Sequence, residues 1–442
     1  MNETLTDFLS FQCFISTRPR GRMFFSRVRN CSVHSGVLKR TRRPFGLYFR
    51  AYYIGSNPFH SPSDWGPLVN LSSDPKTMSP LEAYIKRLIK EMGPMPVSQY
   101  MSMVLGHPTY GYYQRQNPLG AEGDFITSPE ISQVFGEICG MYLASMWQQI
   151  GRPSQTRLVE LGPGRGTLIS DILRAASFVP NFLQSLSIHL VETSRALRTQ
   201  QENLLKKKFR EIDVNWHLRF DQIPEGPVLL VANEFFDALP ADQFVKTPTG
   251  WSLRCVGLSK SEELTFSERQ LDQNFEFNIP FSIGEAAKIG DIYEICFPAH
   301  QVIKELSKRI GENGIGALVI DYGHIQAGLG DTLQAVSSHK YADPLICPGD
   351  SDLTTHVDFS ALHRIADLES TRVSGPINQG SFLESMGIIE RTMIIARNMP
   401  PNLSKDFVTA TKRLTEPKGM GSLFKVMVLT NSQQPAPPGF SF

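Results

Sequence analysis

A glycine-rich turn between a short apolar run and a helix-forming stretch constrains the fold of this chain most strongly. Residues 157–167 read R-L-V-E-L-G-P-G-R-G-T, and the apolar run 158–161 predicts a buried strand that leads directly into the turn. The stretch 167–173 predicts a helix immediately after the turn. A strand, a glycine turn and a helix form the opening unit of a nucleotide-binding α/β sheet. We therefore expect an α/β fold with a ligand at this turn.

The spacing of the glycines distinguishes between two kinds of cofactor. A dinucleotide site has the spacing G-x-G-x-x-G and rests a pyrophosphate on the helix N-terminus. Here Glu160 precedes Gly162, Gly164 and Gly166 in the pattern E-x-G-x-G-x-G. A carboxylate at that position repels phosphate but holds an ammonium group through charge-assisted hydrogen bonds. S-adenosylmethionine has an ammonium and a sulfonium and no phosphate, so the pattern favours this cofactor.

A second acidic residue supports the same interpretation. The stretch 187–192 predicts the next strand and ends in Glu192. A carboxylate at the end of the second strand can accept hydrogen bonds from both ribose hydroxyls. The alternatives that this pattern leaves open are a dehydrogenase and a glycine turn without any ligand.

Length and composition predict a globular chain that is larger than one minimal domain. The chain has 442 residues, 41% of them apolar, and a formal net charge of +1. This charge creates no global field for nucleic acid, so we expect no nucleic-acid partner. No run approaches the roughly 18 apolar residues of a membrane span, so we expect no transmembrane segment. The six cysteines are scattered, and no His or Cys spacing supports a metal site.

The N-terminal region has the composition of a mitochondrial transit peptide. Residues 8–63 contain many arginines and several serines but no Asp or Glu. We therefore predict a transit peptide or disordered region over 1–60 and a mitochondrial location. A start at Met23 gives a presequence without the acidic residues near position 1. The alternative is a disordered basic tail that binds an acidic partner.

Alternating strand and helix patterns predict a seven-stranded, mostly parallel sheet with helices on both faces, the Rossmann-like fold of class I methyltransferases. The last strand is interpreted as an antiparallel edge. The predicted strands lie at about 157–161, 187–192, 213–217, 227–232, 315–321, 371–375 and 423–430. The predicted helices between them lie at 167–176, 194–208, 298–310 and 378–387.

The regions outside that sheet have patterns of their own. We predict a linker and an N-terminal helical lid over 61–150, including one long helix that Ser128 caps and that runs from Pro129 to about residue 149. A methyltransferase domain over 151–432 holds a β-rich insertion at about 240–297. The Pro/Gly/Ser-rich end, 433–442, is predicted to be disordered.

The loop after the fourth predicted strand carries the candidate catalytic residues. Asn233, Glu234 and Asp237 lie here with two phenylalanines. Two carboxylates at close spacing suit a planar guanidinium and can accept a proton as its nitrogen is methylated. The side-chain carbonyl of Asn233 can orient a nitrogen nucleophile. The alternative is that Glu234 and Asp237 cap the next helix and the phenylalanines are core.

Three further residues are candidate cofactor ligands. Asp321 ends the fifth predicted strand, and a glycine follows two residues later at Gly323, so we expect Asp321 to face the cleft. Thr127 and Ser128 precede a predicted helix whose free N–H groups offer a second wall to the cofactor pocket. The alternative for these two is an ordinary capped loop.

Several sequence blocks, taken together and in order, resemble the MidA-type methyltransferases. The resemblance covers about residues 79–430, and its most specific parts are F-I-T-S-P-E-I-S and N-E-F-F-D-A-L-P. The blocks are 123–132, 159–168, 189–192, 233–240 and 321–324.

The resemblance implies an activity, a partner and a location. It implies an S-adenosylmethionine-dependent protein arginine methyltransferase in the mitochondrial matrix. Its partner would be the 49 kDa iron–sulfur subunit of NADH:ubiquinone oxidoreductase (respiratory complex I), dimethylated symmetrically on an arginine and thereby assisted in assembly. The resemblance also implies that the cofactor loop contains Gly162, Gly164 and Gly166 and that Glu192 is the ribose ligand. The alternative is an assembly chaperone that binds the cofactor without catalysis.

Overall fold

The structure, a computed structural model, describes residues 78–114, 127–209, 212–271, 279–337, 340–369 and 371–440. The predicted transit peptide, the linker up to residue 77 and block 123–126 lie outside the described residues. In chain order the strands are β1 (Met95–Pro96), β2 (Thr156–Leu161), β3 (Leu186–Val191), β4 (Val214–His217), β5 (Val228–Asn233), β6 (Asp242–Thr247), β7 (Gly250–Leu258), β8 (Leu264–Gln270), β9 (Ile292–Ile295), β10 (Ile315–His324), β11 (Gln334–Ser337), β12 (Lys340–Ala342), β13 (Asp352–Thr354), β14 (Val357–Asp358), β15 (Thr371–Asn378) and β16 (Phe424–Asn431).

The helices of the described residues are mostly amphipathic and alternate with the strands of the central sheet. None of the helices in these ranges is both long and apolar enough to span a membrane. In chain order they are α1 (Pro80–Met92), α2 (Val97–Gly106), α3 (Ser128–Ile131), α4 (Gln133–Gln149), α5 (Thr167–Ala176), α6 (Phe182–Ser185), α7 (Arg195–Lys208), α8 (Phe281–Ala286), α9 (Phe297–Asn313), α10 (Phe359–Asp367), α11 (Gln379–Ser385), α12 (Ile388–Ala396), α13 (Pro401–Thr415) and α14 (Met420–Leu423).

The central sheet has the strand order β15-β16-β10-β5-β2-β3-β4, with β14 added beside the end of β10. The five strands from β10 to β4 are parallel, as expected for apolar runs covered on both faces. Each of the seven predicted strands overlaps an observed one. From β2 the chain builds outward through β3 and β4 and then returns to β5, so the strand order reverses between β2 and β5. Ligands bind beyond the strand ends at such a reversal.

Helices cover both faces of this sheet and close two apolar cores. Residues of α4 and α5 pack in one core, and residues of α9 and α10 pack in the other. The contact between α4 and α5 is close because a glycine lies in it. A Cβ on Gly136 would lie 2.5 Å from the Cβ of Asp171. The sheet is therefore fixed between tightly packed layers, which holds its strand ends in place.

The last strand occupies a different position from the one predicted. β16 is antiparallel to both neighbours, as expected, but it lies between β15 and β10 rather than at an edge. All its residues from Phe424 to Thr430 are buried, and such a strand needs partners on both sides. β15 forms the edge instead.

The predicted long helix that starts at Ser128 is broken. α3 ends at Ile131, Ser132 is extended with φ −153°, and α4 starts afterwards. The Ser132 hydroxyl accepts a hydrogen bond from the Val134 N–H at 3.3 Å, and this side-chain contact competes with helical pairing of the backbone. Ser128 is not the N-cap, which is Thr127.

A second sheet lies in the region of the predicted β-rich insertion. It contains β6, β7, β8 and β9, and the N-terminal β1 pairs with β7 at Met95↔Val256. The helices α1 and α2 share an apolar core with this second sheet, so they do not simply cover the central one. A third, three-stranded sheet, β12-β11-β13, follows β10 and was not predicted, because its strands are short and mostly polar.

The C-terminal segment is packed rather than disordered over the part that the structure describes. The Phe440 ring lies 5.9 Å from the Phe382 ring, centroid to centroid, and contributes to the core that contains α4. The Tyr142 hydroxyl donates to the Pro438 carbonyl at 3.3 Å. The prediction of disorder over 433–442 is therefore wrong for 433–440, because composition does not reveal an aromatic anchor.

This packing predicts a stability difference between two phenylalanine truncations. Phe440→Ala should lower the free energy of unfolding by about 2 kcal/mol, since a partly buried ring loses its core contacts. Phe281→Ala is the matched control, because that ring is 82% exposed. Urea unfolding of both variants checks the prediction. Equal stability of the two variants would contradict the packed arrangement.

Candidate active site

A cavity of about 750 Å³ opens at the carboxyl ends of β2, β3 and β5, where the strand order reverses. Its walls come from the glycine turn, the residues after β3 and β5, and the segments around Tyr113, Thr127 and Asp352. The size and position of this cavity suit a small-molecule ligand.

The glycine turn forms one wall of the cavity. Gly162, Gly164 and Gly166 have φ values of +61°, +52° and +82°, which glycine adopts without steric cost. Gly162 and Gly164 line the cavity. Gly166 is outside the lining and is the N-cap of α5, where a Cβ would lie 3.3 Å from Gln201. Two of the three predicted cofactor glycines therefore face the cavity, and the third starts the helix.

Glu160 has a buried carboxylate that lines the cavity without a complete set of partners. Its side chain is 3% exposed, and its Oε2 atom has no hydrogen-bond partner within the described residues. Burial raises its pKa to about 8 because the charged form loses solvation. A cationic group in the cavity would favour the charged form of this carboxylate. The residue therefore fits the ammonium group of S-adenosylmethionine.

Glu192 lies just beyond β3 and also lines the cavity. Its Oε1 atom accepts from the Ser194 N–H at 2.7 Å, and its Oε2 atom accepts from Gln201 Nε2 at 3.0 Å. Burial raises its pKa to about 7. Each oxygen keeps a further lone pair that can accept from a ribose hydroxyl. The predicted position of Glu192 at the cofactor wall agrees with this geometry.

Gln201 connects the two cofactor walls and was missed by the sequence reasoning. Its Nε2 atom donates to the Gly164 carbonyl at 2.7 Å as well as to Glu192. Its Oε1 atom accepts from Trp216 Nε1 at 2.8 Å, and the side chain is fully buried. A single glutamine in a helix rich in lysine and glutamine gives no local signal of this role.

The turn after β5 places the predicted catalytic residues at the same cavity. Asn233, Glu234 and Asp237 all line it. Glu234 has φ +51°, a left-handed conformation that costs energy for a residue with a Cβ. Its Oε1 atom accepts from the Ser128 N–H at 2.8 Å and from Asn233 Nδ2 at 3.0 Å.

Two oxygens of this turn have no hydrogen-bond partner within the described residues. They are Asn233 Oδ1 and Asp237 Oδ1, and both side chains are buried. Burial raises the pKa of Glu234 to about 7 and that of Asp237 to about 6. Asp237 also has the Tyr322 hydroxyl beside it, which lowers its pKa against the larger effect of burial. A cation in the cavity would favour the charged forms of Glu234 and Asp237.

Asp321 does not face the cavity, contrary to the prediction. Its Oδ2 atom accepts from the N–H groups of Phe235, Phe236 and Asp237 at 3.1, 2.9 and 3.3 Å. Its Oδ1 atom accepts from the Tyr322 N–H at 2.9 Å. The carboxylate is fully buried beneath the turn, so it shapes the turn and is not available to a cofactor.

Thr127 and Ser128 differ in their relation to the cavity. Thr127 lines it, whereas the Ser128 side chain is fully buried outside the lining. Ser128 acts through its backbone N–H, which donates to Glu234. The prediction is thus corrected for the Ser128 side chain, which is buried outside the cavity lining. No cluster of His, Cys, Asp or Glu among the described residues is arranged to hold a metal ion.

Comparison with known proteins identifies the family. A model of S-adenosyl-L-methionine-dependent methyltransferases matches residues 138–377, which include the glycine turn, Glu192 and the turn after β5. The chain belongs to this family. The resemblance to MidA-type methyltransferases is confirmed, and S-adenosylmethionine is the cofactor. A dehydrogenase is thereby excluded.

Named relatives and solved structures support the same family over most of the chain. The human mitochondrial protein arginine methyltransferase NDUFAF7 is 37% identical over 380 residues, which cover 81% of this chain and 85% of that protein. The Drosophila melanogaster homolog is 34% identical over 382 residues, or 79% and 84% of the two chains. A COG1565 superfamily member from Burkholderia thailandensis, solved with bound S-adenosyl-homocysteine, has a TM-score of 0.69. It is 26% identical, with 82% of this chain and 94% of that chain covered.

Gln201 provides a test of the cofactor wall. Gln201→Leu keeps the apolar bulk but removes the contacts to Gly164 and Glu192. Affinity for S-adenosylmethionine should fall about 10- to 100-fold, the equivalent of one hydrogen bond to a charged group. Calorimetric titration measures this, with Gln301→Leu on α9 as the control. Unchanged affinity in Gln201→Leu would show that the two walls do not depend on this side chain.

Proposed function

We propose that this methyltransferase transfers methyl groups to an arginine of the 49 kDa iron–sulfur subunit of NADH:ubiquinone oxidoreductase in the mitochondrial matrix. The product would be symmetric dimethylarginine, and the modification would assist assembly of the complex. The MidA-type sequence blocks and the names of the relatives, which are mitochondrial protein arginine methyltransferases, support this proposal. The acid-poor N-terminal region is typical of a transit peptide and supports the location.

The charge balance of the cavity is the observation that carries the proposal. Carboxylates outnumber cations among the described residues that line it, so the cavity favours positively charged ligands. Arg165 is paired with Glu130 at 3.6 Å, and Arg219 is paired with Asp221. The carboxylates are those of Glu130, Glu160, Glu192, Glu234, Asp237 and Asp352, and the cations are Arg165 and Arg219.

The residues at the glycine turn fit the cofactor. Glu160 would hold the ammonium group, Glu192 the ribose hydroxyls, and the backbone of Gly162 and Gly164 would allow close approach. When bound, S-adenosylmethionine supplies an electrophilic methyl group on its sulfonium. The support for this arrangement is that Glu160, Gly162 and Gly164 all line the cavity.

The turn after β5 would bind the acceptor guanidinium. Glu234 and Asp237 would accept N–H donors from it and orient one nitrogen toward the methyl donor. Their pKa values, raised to about 7 and about 6, lie in the range in which a carboxylate can take the proton that the nitrogen loses. The Asn233 side chain, whose residue lines the cavity, would orient the same nitrogen. Asp321 and the Ser128 N–H keep these side chains in place.

Isosteric neutralisation of the turn tests this function. Glu234→Gln and Asp237→Asn should each lower methyl transfer to the recombinant 49 kDa subunit by more than about 100-fold. Affinity for S-adenosylmethionine should change by less than about threefold, because neither group is placed at the cofactor wall. The control is Glu312→Gln, an exposed position on α9. Mass spectrometry of the product identifies the modified residue and separates symmetric from asymmetric dimethylarginine.

Two outcomes would contradict the proposal. Transfer to lysine but not to arginine would exclude an arginine methyltransferase. Full complex I assembly in cells that carry only Glu234→Gln, with transfer abolished in vitro, would indicate a cofactor-binding chaperone instead.

A further inference from the structure

Two residues outside the central sheet line the cavity without a place in the cofactor wall or the turn after β5. Asp352 lies in β13 of the three-stranded sheet, and Tyr113 lies in the short 3-10 helix Tyr112–Gln114 that follows α2. Both line the cavity that contains Glu234 and Asp237. Asp352 is buried, so its carboxylate is confined to the cavity wall.

Tyr113 fixes the Asp352 carboxylate. The Tyr113 hydroxyl donates toward Asp352 Oδ1 at 3.0 Å and lies 3.3 Å from Oδ2. The segment that carries Asp352 is also attached to the acceptor turn, because the Thr355 N–H donates to the Asp237 carbonyl at 3.0 Å. The segment of Asp352 is therefore connected to the acceptor turn, and its carboxylate lines the same cavity as Glu234 and Asp237.

Tyr113 is also connected to the cofactor side. The Ser194 hydroxyl donates to the Tyr113 carbonyl at 2.5 Å, and the Ser194 N–H donates to Glu192 Oε1 at 2.7 Å. Tyr113 therefore contacts Asp352 through its hydroxyl and is linked through Ser194 to Glu192, the carboxylate assigned to the ribose. A residue fixed from both sides keeps its hydroxyl at a defined position in the cavity.

We propose that Asp352, positioned by Tyr113, is a third carboxylate of the acceptor subsite and makes this subsite selective for a guanidinium over an ammonium. The inference rests on the proposed arginine methyltransferase function. A guanidinium is planar and carries five N–H donors that point outward around its edge. Several carboxylates placed around that edge can therefore bind it at the same time. An ammonium carries its three donors on a single nitrogen, so they diverge from one point and match a planar set of acceptors less well.

The proposal predicts a loss of acceptor binding that leaves cofactor binding intact. In Asp352→Asn the KM for the recombinant 49 kDa subunit should rise about 10- to 100-fold, as for loss of one hydrogen bond to a charged group. In Tyr113→Phe it should rise about 3- to 10-fold, since the carboxylate remains but is less well positioned. In both variants kcat should change less than about threefold, and affinity for S-adenosylmethionine should stay unchanged. The ratio of transfer to a short arginine peptide over its lysine counterpart should fall in parallel with the rise in KM.

Two matched controls lie in the same part of the chain and outside the cavity lining. Asp343→Asn changes an exposed aspartate, and Tyr341→Phe changes a tyrosine that is 82% exposed. Both should behave like the unmodified protein. Tyr113→Phe keeps the backbone contact to Ser194, so it decides the question even if Asp352→Asn fails to fold.

The outcomes separate this inference from the proposed function. An unchanged KM in Tyr113→Phe and in folded Asp352→Asn, with activity still lost in Glu234→Gln, would overturn the role of Asp352 alone. Equal losses of cofactor affinity and of acceptor affinity would also overturn it, because they would indicate a structural role. Unimpaired transfer in Glu234→Gln would instead overturn the proposed function.

Discussion

Carboxylates that are buried at the carboxyl ends of parallel strands are the constraint on which this structure depends. Glu160, Glu192, Glu234 and Asp237 lie together at the reversal between β2 and β5, and burial raises the pKa of each. Taking these groups out of water is unfavourable unless a partner satisfies them. A cationic cofactor and a cationic acceptor supply such partners, so the same arrangement that destabilises the empty cavity gives it its selectivity.

Contacts with the surrounding fold keep these carboxylates in place despite the unfavourable loss of solvation. The Asp321 carboxylate accepts hydrogen bonds from backbone N–H groups of the turn after β5. Glu234 adopts a left-handed conformation in this turn. Gln201 joins the Gly164 carbonyl to Glu192 across the cofactor wall. These contacts fix the positions of the carboxylates before any ligand binds, and preorganisation of this kind is a main source of catalytic power.

Local sequence patterns predict the strands and helices of this fold. They do not predict contacts between residues that are distant in the chain. The apolar runs and the E-x-G-x-G-x-G spacing predict the sheet, the helix at 167–176 and the cofactor. Asp321 ends a predicted strand, which is a position typical of a ligand-binding residue. In the fold it lies beneath the turn instead, because it accepts hydrogen bonds from the backbone N–H groups at 235–237. Gln201 and Asp352 gain their positions from partners far away in the chain, so no window of sequence reveals them. The Phe440 anchor has the same origin, because its ring partner Phe382 is distant in sequence.

The ionisation of Glu160 on cofactor binding tests the central claim most directly. With a pKa of about 8, this carboxyl group is mostly protonated at pH 7 in the cofactor-free protein. The ammonium group favours the charged carboxylate, so binding should release up to one proton. Calorimetric titrations with S-adenosylmethionine at pH 7, in buffers with different ionisation enthalpies, measure that release. The account predicts a release that is lost in Glu160→Gln together with affinity. Equal proton release and equal affinity in the two proteins would contradict it.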